Sequence, residues 1–303
     1  MSVKPAARFA LISVFALFLA TGLGCQPAVA DRPAAPAAWA GADASQPVTG
    51  ILGAMTDEIR VIEAAMTDKA TEKVCCVTFI TGKIGGRRVA LAKSGIGKVN
   101  AAITASLLAS RYEPREILVS GIAGGLSPDV RPGDIVIAAR TVQHDFGAVT
   151  EKGFEPKTID NLITGERSLG YYAADARLLA LAQAVAPNVH LTRIATSEGE
   201  RAPAIRTGTV ATGDVFVASA AKKEELRRVF EADAVEMEGA AVAHVCHRFG
   251  IPCLVIRSVS DSADAGAKVD MKKFIQTAST NSGALVIELV KRLAAEPAPV
   301  AAH

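Results

Sequence analysis

Apolar runs with strand-like composition alternate with helix-like segments from about residue 48 to residue 295, and no linker-like stretch interrupts them. Residues 48–52 and 252–259 are short runs rich in β-branched side chains, whereas residues 98–111 and 271–293 have the length and spacing of helices. Such alternation is typical of a sheet covered by helices on its faces. The sequence therefore predicts a single α/β domain over residues 48–295, with a mixed, mostly buried central β-sheet flanked by helices.

The beginning of the chain differs in kind from this domain. Lys4 and Arg8 precede an apolar run over residues 9–20 that contains one polar residue, Ser13, and small residues follow it. A short basic region, about a dozen apolar residues and a small-residue exit are the parts of a secretory signal. We therefore expect residues 1–30 to be a secretory signal and the protein to be exported, either periplasmic or secreted.

Two endings of this signal compete. Small residues before Asp31 favour cleavage after Ala30, whereas a pattern similar to a lipoprotein box ends at Cys25. Membrane attachment is expected only if Cys25 carries a lipid. An Ala/Pro-rich linker over residues 31–47 and a tail over residues 296–303 are expected to flank the domain.

The charge balance and the spacing of Cys and His residues indicate which kinds of partner the chain can bind. The chain has 33 basic and 31 acidic residues, which leaves a formal net charge of +2 and no basic footprint for nucleic acid. Its five cysteines show neither a disulfide framework nor a zinc-binding spacing. His244 and His247 lie three residues apart on a predicted helix, but no third ligand completes a metal site. A small-molecule partner is expected, without nucleic acid, metal or cofactor.

Glycines and acids collect where the predicted strands end. The segments concerned are residues 53–58, 120–126, 211–216 and 257–264. Ligands of open α/β sheets bind beyond the carboxyl ends of the strands. If these segments converge, the site holds three carboxylates, Glu58, Glu238 and Asp261, and one aromatic ring, Phe216. Acids that protonate a leaving group, activate water and stabilise an oxocarbenium-like sugar suit cleavage of a glycosidic bond.

The same segments resemble those of a known family. The matching motifs are Gly53-Ala54-Met55 with Glu58, Ser94-Gly95-Ile96-Gly97-Lys98-Val99-Asn100-Ala101-Ala102, Ala123-Gly124-Gly125-Leu126, Pro132-Gly133-Asp134-Ile135-Val136, Thr212-Gly213-Asp214-Val215-Phe216, Ala234-Val235-Glu236-Met237-Glu238 and Ser260-Asp261-Ser262-Ala263-Asp264. In this order they resemble the purine nucleoside phosphorylase superfamily, and within it the 5′-methylthioadenosine/S-adenosylhomocysteine nucleosidases. The resemblance implies a nucleoside phosphorylase-like fold, hydrolysis of adenine nucleosides with release of adenine, and a homodimer.

The resemblance also implies roles for the acids. Asp261 would protonate the purine at N7, with Ser260 holding it in place, and Glu58 would deprotonate the attacking water. Glu238 would accept both ribose hydroxyls, with Met237 packed under the sugar. The alternatives are ordinary structural ones: an Asp that caps a turn, and a Glu in the first turn of a helix.

The remaining predicted contacts surround the base and the sugar. Phe216 would stack on the adenine, the backbone of Val217 would read the edge of the base, and Ala123 and Gly124 would line the sugar site. Glu236 remains open between substrate binding and a structural role at the start of a helix.

Two other functions stay open at this stage. The first is a phosphate-dependent phosphorylase, which needs an anion site. No Arg adjoins the Gly-rich turns, and Arg257 is expected to pair with a nearby acid. Glu58 would also repel phosphate. A non-catalytic exported relative that binds or stores nucleosides would be expected to lose Glu58 or Asp261, and both are present. Ile122 stands where the nucleosidases commonly have Ser, which leaves the placement of water and the substrate preference open.

Overall fold

The computed structural model describes residues 46–160, 165, 167, 168, 170–196 and 199–296. The predicted signal, Cys25, the linker up to residue 45 and the tail from residue 297 lie outside the described residues. In the described part of the chain, no helix is both long and apolar enough to cross a membrane.

Strands and helices alternate along the described chain, as the sequence predicts. Their order is β1 (Val48–Gly53), α1 (Thr56–Ala64), β2 (Thr67–Val74), β3 (Val77–Ile84), β4 (Arg87–Lys93), α2 (Lys98–Tyr112), β5 (Glu116–Gly125), β6 (Ile135–Gln143), β7 (Gly147–Thr150), β8 (Gly153–Pro156), β9 (Ile159–Asp160), β10 (Arg167–Ser168), β11 (Tyr172–Ala173), α3 (Ala176–Val185), β12 (Ile194–Thr196), β13 (Gly199–Arg201), β14 (Ile205–Thr212), α4 (Ala220–Phe230), β15 (Ala234–Glu236), α5 (Gly239–Phe249), β16 (Cys253–Asp261) and α6 (Ala267–Ala294).

Five strands of the main sheet close into a ring. β16 pairs with β5 in parallel and with β6 antiparallel, β6 pairs with β14 in parallel, β14 with β15 in parallel, and β15 with β5 antiparallel. From β5 the sheet continues outward through β1, β4, β3 and β2. Parallel and antiparallel pairs therefore coexist, which confirms the predicted mixed sheet.

Helices cover both faces of this sheet. On one face α2 and α5 pack through fully buried side chains such as Leu108 and Val242. On the other face α1, α3 and α6 contribute Ile62, Leu178 and Leu289 to a second apolar cluster. Burial of apolar surface on both faces explains why the inner strands read as nearly continuous apolar runs.

Local structure departs from the sequence patterns in three places. β2 was not predicted, because its side chains are mostly exposed and polar, and it is held by antiparallel pairing with β3. Residues 144–170 look irregular in sequence, yet they contain the β7–β8 hairpin and the β9–β10 pair. Residues 172–185 read as one helix in the sequence, but Tyr172 lies in β11, paired with β6, and the helix begins at Ala176.

Candidate active site

Glu58 joins the first helix to the centre of the sheet. It is the third residue of α1, and only 1% of its surface is exposed. Its Oε2 accepts hydrogen bonds from the backbone N–H groups of Ala54 and Met55 at 2.6 and 2.8 Å, and its Oε1 accepts one from Ile122 at 2.9 Å. Burial raises the pKa of this carboxyl, while the Arg257 charge and the three backbone donors oppose the rise. Glu58 therefore caps its own helix and also presents a basic carboxylate to β5.

Asp261 ends β16 and is held by its neighbours. Its Oδ2 accepts a hydrogen bond from Ser260 Oγ at 2.8 Å, and its Oδ1 accepts one from the Ala263 backbone at 2.9 Å. Burial raises the pKa of the carboxyl, against the lowering effect of these two donors. A Cβ atom at Gly124 would come within 2.9 Å of Oδ1, so the glycine allows β5 to pass this close. A buried carboxyl with a raised pKa is suited to donate a proton near neutral pH.

Glu238 immediately precedes α5 and faces the loop before α2. Its Oε1 accepts a hydrogen bond from the Gly97 backbone at 2.8 Å. Gly97 has φ near +97°, a conformation that glycine adopts without strain. Burial and then the neighbouring charge of Glu236 raise the pKa of Glu238 to about 7. This carboxyl therefore exchanges its proton close to neutral pH.

Among the residues that the structure describes, one guanidinium pairs with the carboxylates of this region. Arg257, in β16, is fully buried, and its Nη2 hydrogen-bonds to Glu236 Oε2. The same Nη2 lies 3.5 Å from Glu238 Oε2, and Nη1 lies 4.0 Å from Glu58 Oε1. Gly121 leaves room for it, since a Cβ there would come within 1.8 Å of Nη1. One positive charge thus faces three carboxylates. This arrangement confirms the prediction that Arg257 pairs with a nearby acid.

The carboxylate oxygens of Glu236 bind other groups of the protein. Its carboxylate accepts hydrogen bonds from the backbone N–H groups of Glu238 at 3.0 Å and of Gly239 at 2.8 and 3.0 Å. It also accepts from Thr212 Oγ1 and holds Arg257. These contacts favour the structural alternative, in which the acid fixes the start of α5. A contact between Glu236 and substrate stays a prediction.

The loop after β14 lies against the turn that follows Asp261. The backbone N–H of Ser219 donates to the carbonyl of Ala263 at 3.2 Å, and Val217 is buried in the same apolar cluster as Ala263. Phe216 stands next to it with 39% of its surface exposed. Met237 is half-buried between Glu236 and Glu238. An exposed ring beside the Asp261 turn is available to contact a ligand.

β5 supplies the backbone between the acids. Gly124 is paired with Val235 of β15 on one side and with Asp261 of β16 on the other. Ser260 Oγ donates to the Ala123 carbonyl at 3.4 Å. Ile122, half-buried, contributes its backbone N–H to Glu58, so this bond does not require the Ser that is common at the position.

The four segments singled out in the sequence converge near the end of β5. β1, β5 and β16 run in parallel, so Glu58 and Asp261 follow strands that end on the same side. β14 and β15 run opposite to β5, and they reach the site because the ring folds them back onto the last residues of β5. The condition stated for the site, that the four segments converge, is therefore met at the end of β5.

Several polar side chains beside the site were not predicted to take part in it. Lys98 Nζ binds Asp145 Oδ1 at 2.6 Å, Asp145 Oδ2 accepts from the Asp214 backbone at 2.8 Å, and Asp214 Oδ1 accepts from the Lys98 backbone at 2.7 Å. His144 is buried directly beneath Gly213, where a Cβ would come within 2.4 Å of its ring. Burial lowers the pKa of His144. This network fixes the loop before Phe216 relative to α2.

Within the described residues, no group of three or more His, Cys, Asp or Glu side chains has the arrangement of a metal site. His244 and His247 lie instead at the wall of a separate cavity, where both rings pack against Tyr172.

The chain is similar to known proteins over most of its length. Residues 48–291 match the family model described as the phosphorylase superfamily. A 5′-methylthioadenosine/S-adenosylhomocysteine nucleosidase of Marinomonas sp. is 37% identical over 245 residues, which are 80% of this chain and 98% of that protein. The nucleosidase of the same name from Bacillus subtilis is 36% identical over 244 residues, which are 80% of this chain and 98% of its own.

Solved structures agree with the sequence relatives. The Neisseria meningitidis 5′-methylthioadenosine/S-adenosylhomocysteine nucleosidase in complex with methylthio-immucillin-A superposes with a TM-score of 0.69 at 33% identity, covering 81% of this chain and 99% of that one. Futalosine hydrolase of Helicobacter pylori superposes with a TM-score of 0.69 at 32% identity, covering 81% and 98%. Both similarities extend over nearly the whole of the compared chains.

Proposed function

This chain belongs to the phosphorylase superfamily, and on that premise we propose that it hydrolyses the N-glycosidic bond of adenine nucleosides such as 5′-methylthioadenosine and S-adenosylhomocysteine, releasing adenine. Its similarity to N-glycosyl hydrolases of that specificity supports the reaction class. The observation that carries the proposal is the placement of two buried acids with raised pKa along β5. Glu58 binds the backbone at Ile122, and Asp261 is paired with Gly124, two residues further on.

The acids divide the chemistry between them. Asp261 delivers a proton to N7 of the purine, so that adenine leaves as a neutral molecule when the bond between C1′ and N9 breaks. Positive charge develops on the ribose. The carboxylate of Glu238 accepts hydrogen bonds from the ribose hydroxyls and stabilises that charge. Glu58 takes a proton from water while the water oxygen bonds to C1′. The raised pKa of Glu58 supports this role, because it makes the carboxylate a stronger base.

The base and sugar contacts follow from the same geometry. Phe216 stacks on the adenine ring, and the backbone of Val217 binds the edge of the base. Met237 packs under the sugar, and the backbone of Ala123 and Gly124 lines its other side. The exposure of Phe216 and the bond from the Val217 loop to the Asp261 turn support this placement.

Electrostatics favour water over phosphate as the acceptor. Arg257 is the cation that lies among the acids, and its guanidinium is already engaged by Glu236, with Glu58 and Glu238 within 4.0 Å. A phosphate anion would enter a site in which the carboxylates outnumber the guanidinium. Hydrolysis therefore requires less electrostatic rearrangement than phosphorolysis.

We further propose that the chain acts as a homodimer whose partner helps to bind the 5′ group. Ile96 in the loop before α2, and Val99 and Ile103 in its first two turns, are exposed apolar residues near the Gly97 backbone that binds Glu238. Val215 is also exposed, on the loop before Phe216. A second copy that covers this apolar surface would enclose the 5′ side of the nucleoside. Changing Val99 to Asp is expected to yield monomers in analytical ultracentrifugation, while a dimer of unchanged stability would refute this interface.

We also propose that the protein is exported, and this proposal rests only on the signal-like sequence of residues 1–30. Cleavage after Ala30 gives a free mature chain, whereas modification at Cys25 gives a lipid-anchored one. Mass spectrometry of the protein recovered from the host cell envelope distinguishes the two, and an intact residue 1 in all of the protein would refute export.

The reaction is tested on adenine nucleosides that differ at the 5′ position, each with and without phosphate. Futalosine belongs in the panel, because a futalosine hydrolase is among the similar structures. Asp261→Asn is expected to slow adenine release by about 10²–10⁴-fold, the usual contribution of a general acid. Asp129→Asn, at an exposed acid outside the site, is the matched control. No release from any nucleoside would favour a binding or storage protein, and an unchanged rate in Asp261→Asn would refute the assignment of the acid.

A further inference from the structure

A second cavity lies between β6, β11 and α5. Its volume is about 780 Å³, and its walls include Thr141, Tyr172, His244, Arg248 and Cys253. None of the residues assigned to the nucleoside contacts it. The volume lies within the range of small-molecule sites in proteins.

Three polar atoms at this wall are buried without a hydrogen-bond partner among the described residues: Thr141 Oγ1, Tyr172 OH and Arg248 Nη1. Thr141 and Tyr172 are directly paired residues of β6 and β11, so their hydroxyls belong to neighbouring positions of the sheet. Buried polar groups are nearly always satisfied in native proteins, because leaving one unpaired costs about 1–3 kcal/mol. Three such atoms, all on residues that line one cavity, are groups that a bound hydrogen-bonding molecule would satisfy.

The charges at the cavity indicate the sign of that occupant. Arg248 donates through Nη2 to the Asp160 carbonyl at 3.2 Å, and among the described residues no carboxylate forms an ion pair with it. The Asp160 carboxylate is paired with Arg167 at 2.9 Å, and Asp175 caps α3 through the Leu178 backbone at 2.9 Å. These two acids are therefore already engaged, whereas no ion pair within the part of the chain that the structure describes balances the Arg248 charge.

The surrounding groups are close enough to sense this charge. Burial raises the pKa of Tyr172 to about 12, and the Arg248 charge opposes the rise. Burial lowers the pKa of His244, and the charges of Arg248 and His247 lower it further. The Tyr172 and His244 rings are stacked on each other, with centroids 4.9 Å apart.

We propose that this cavity is a binding site for a small oxyanion, a carboxylate or a phosphate, held by Arg248 Nη1 together with the hydroxyls of Tyr172 and Thr141. Arginine offers only donors, and the two hydroxyls can donate as well, so all three groups can donate to the acceptor oxygens of an anion. The cavity volume leaves space for an organic group attached to the anion. Arg248 and His244 of this site lie on α5, and Glu238 immediately precedes the other end of that helix.

The test uses the full chain with two probes, inorganic phosphate and benzoate, and neutral benzamide as the reference. Calorimetric titration measures binding, and NMR signals of the histidine side chains report its location. At least one anion is expected to bind and to shift the signals of His244 and His247 while His190 stays unchanged. Binding of phosphate alone would identify a phosphate site, and binding of benzoate would identify a carboxylate site. Benzamide is expected not to bind.

Variants at the wall separate this site from the nucleoside site. Arg248→Gln is expected to weaken anion binding at least tenfold, whereas Arg228→Gln, an exposed arginine on α4, is the matched control. Thr141→Val keeps the side-chain shape and removes an unpaired hydroxyl, so it is expected to weaken binding several-fold without lowering the melting temperature. Absence of binding by both anions at 20 mM, or equal binding by wild type and both wall variants, would overturn the proposal.

Discussion

Glu238 is expected to cost the protein stability at neutral and alkaline pH, and Glu238→Gln should recover it. The substitution removes the charge but keeps an oxygen that can accept from the Gly97 backbone. The pKa of Glu238 is raised from 4.5 to about 7. At about 1.4 kcal/mol per pKa unit, the difference corresponds to about 3 kcal/mol, as an upper limit.

The sign follows from proton linkage. The folded chain binds this proton more tightly than the unfolded chain does, so the wild type loses stability as the pH rises from about 4.5 to about 7. The Gln variant lacks this loss. At pH 8 it is expected to be more stable than wild type by up to about 3 kcal/mol, and at pH 5 the difference should fall to about 1 kcal/mol or less.

Urea unfolding of both proteins at pH 5 and pH 8 measures the effect, with the slope against urea checked for constancy. Glu151→Gln, at an exposed acid, is the matched control and should behave as wild type at both pH values. The variant should also release adenine more slowly, because it no longer stabilises the charged sugar. A variant that is less stable than wild type by the same amount at both pH values would refute the reasoning.

Three further predictions concern the surroundings of the site. Gly121→Ala places a Cβ within 1.8 Å of the fully buried Arg257. Unfolding experiments should therefore show that the free energy of unfolding falls by about 1–3 kcal/mol or more, and kcat should fall as well. Unchanged stability would show that the guanidinium moves freely. Glu116→Gln weakens the ion pairs of the buried Glu116 with the buried Arg87 at 2.6 Å and with the partly exposed Arg177 at 3.0 Å. It should cost up to about 3–5 kcal/mol, with KM unchanged; a changed KM would indicate an unforeseen link to the site. Phe216→Ala should raise KM for adenine nucleosides by a factor that corresponds to about 1–3 kcal/mol of stacking without altering the unfolding midpoint, and an unchanged KM would remove the ring from the base site.

The sequence was most informative where burial imposes a pattern. The inner strands and the covering helices follow from apolar runs and helical spacing, because both faces of the sheet are buried. β2 could not be predicted in this way, since it is an edge strand with mostly exposed polar side chains. Its position depends on pairing with β3, which is a tertiary contact rather than a local preference.

The acids were predicted from their positions at the ends of elements, but their electrostatic arrangement was not. The sequence places Glu236 and Glu238 two residues apart, yet it does not show that one turns toward Arg257 and the start of α5 while the other faces Gly97. That division arises from the closed ring of strands, which brings β15 back antiparallel to β5. The cavity beside Arg248 likewise joins residues that are distant in the sequence.

The most direct test of hydrolysis is the fate of the water oxygen. The full chain is incubated with 5′-methylthioadenosine in phosphate-free buffer prepared with H₂¹⁸O, and the released sugar is examined by mass spectrometry soon after adenine appears, beside a control in which the free sugar exchanges with the same water. The proposed roles of Glu58 and Asp261 predict adenine release without phosphate and one ¹⁸O atom in the sugar at a level above the exchange control. A reaction that needs phosphate and yields a sugar phosphate would contradict the account.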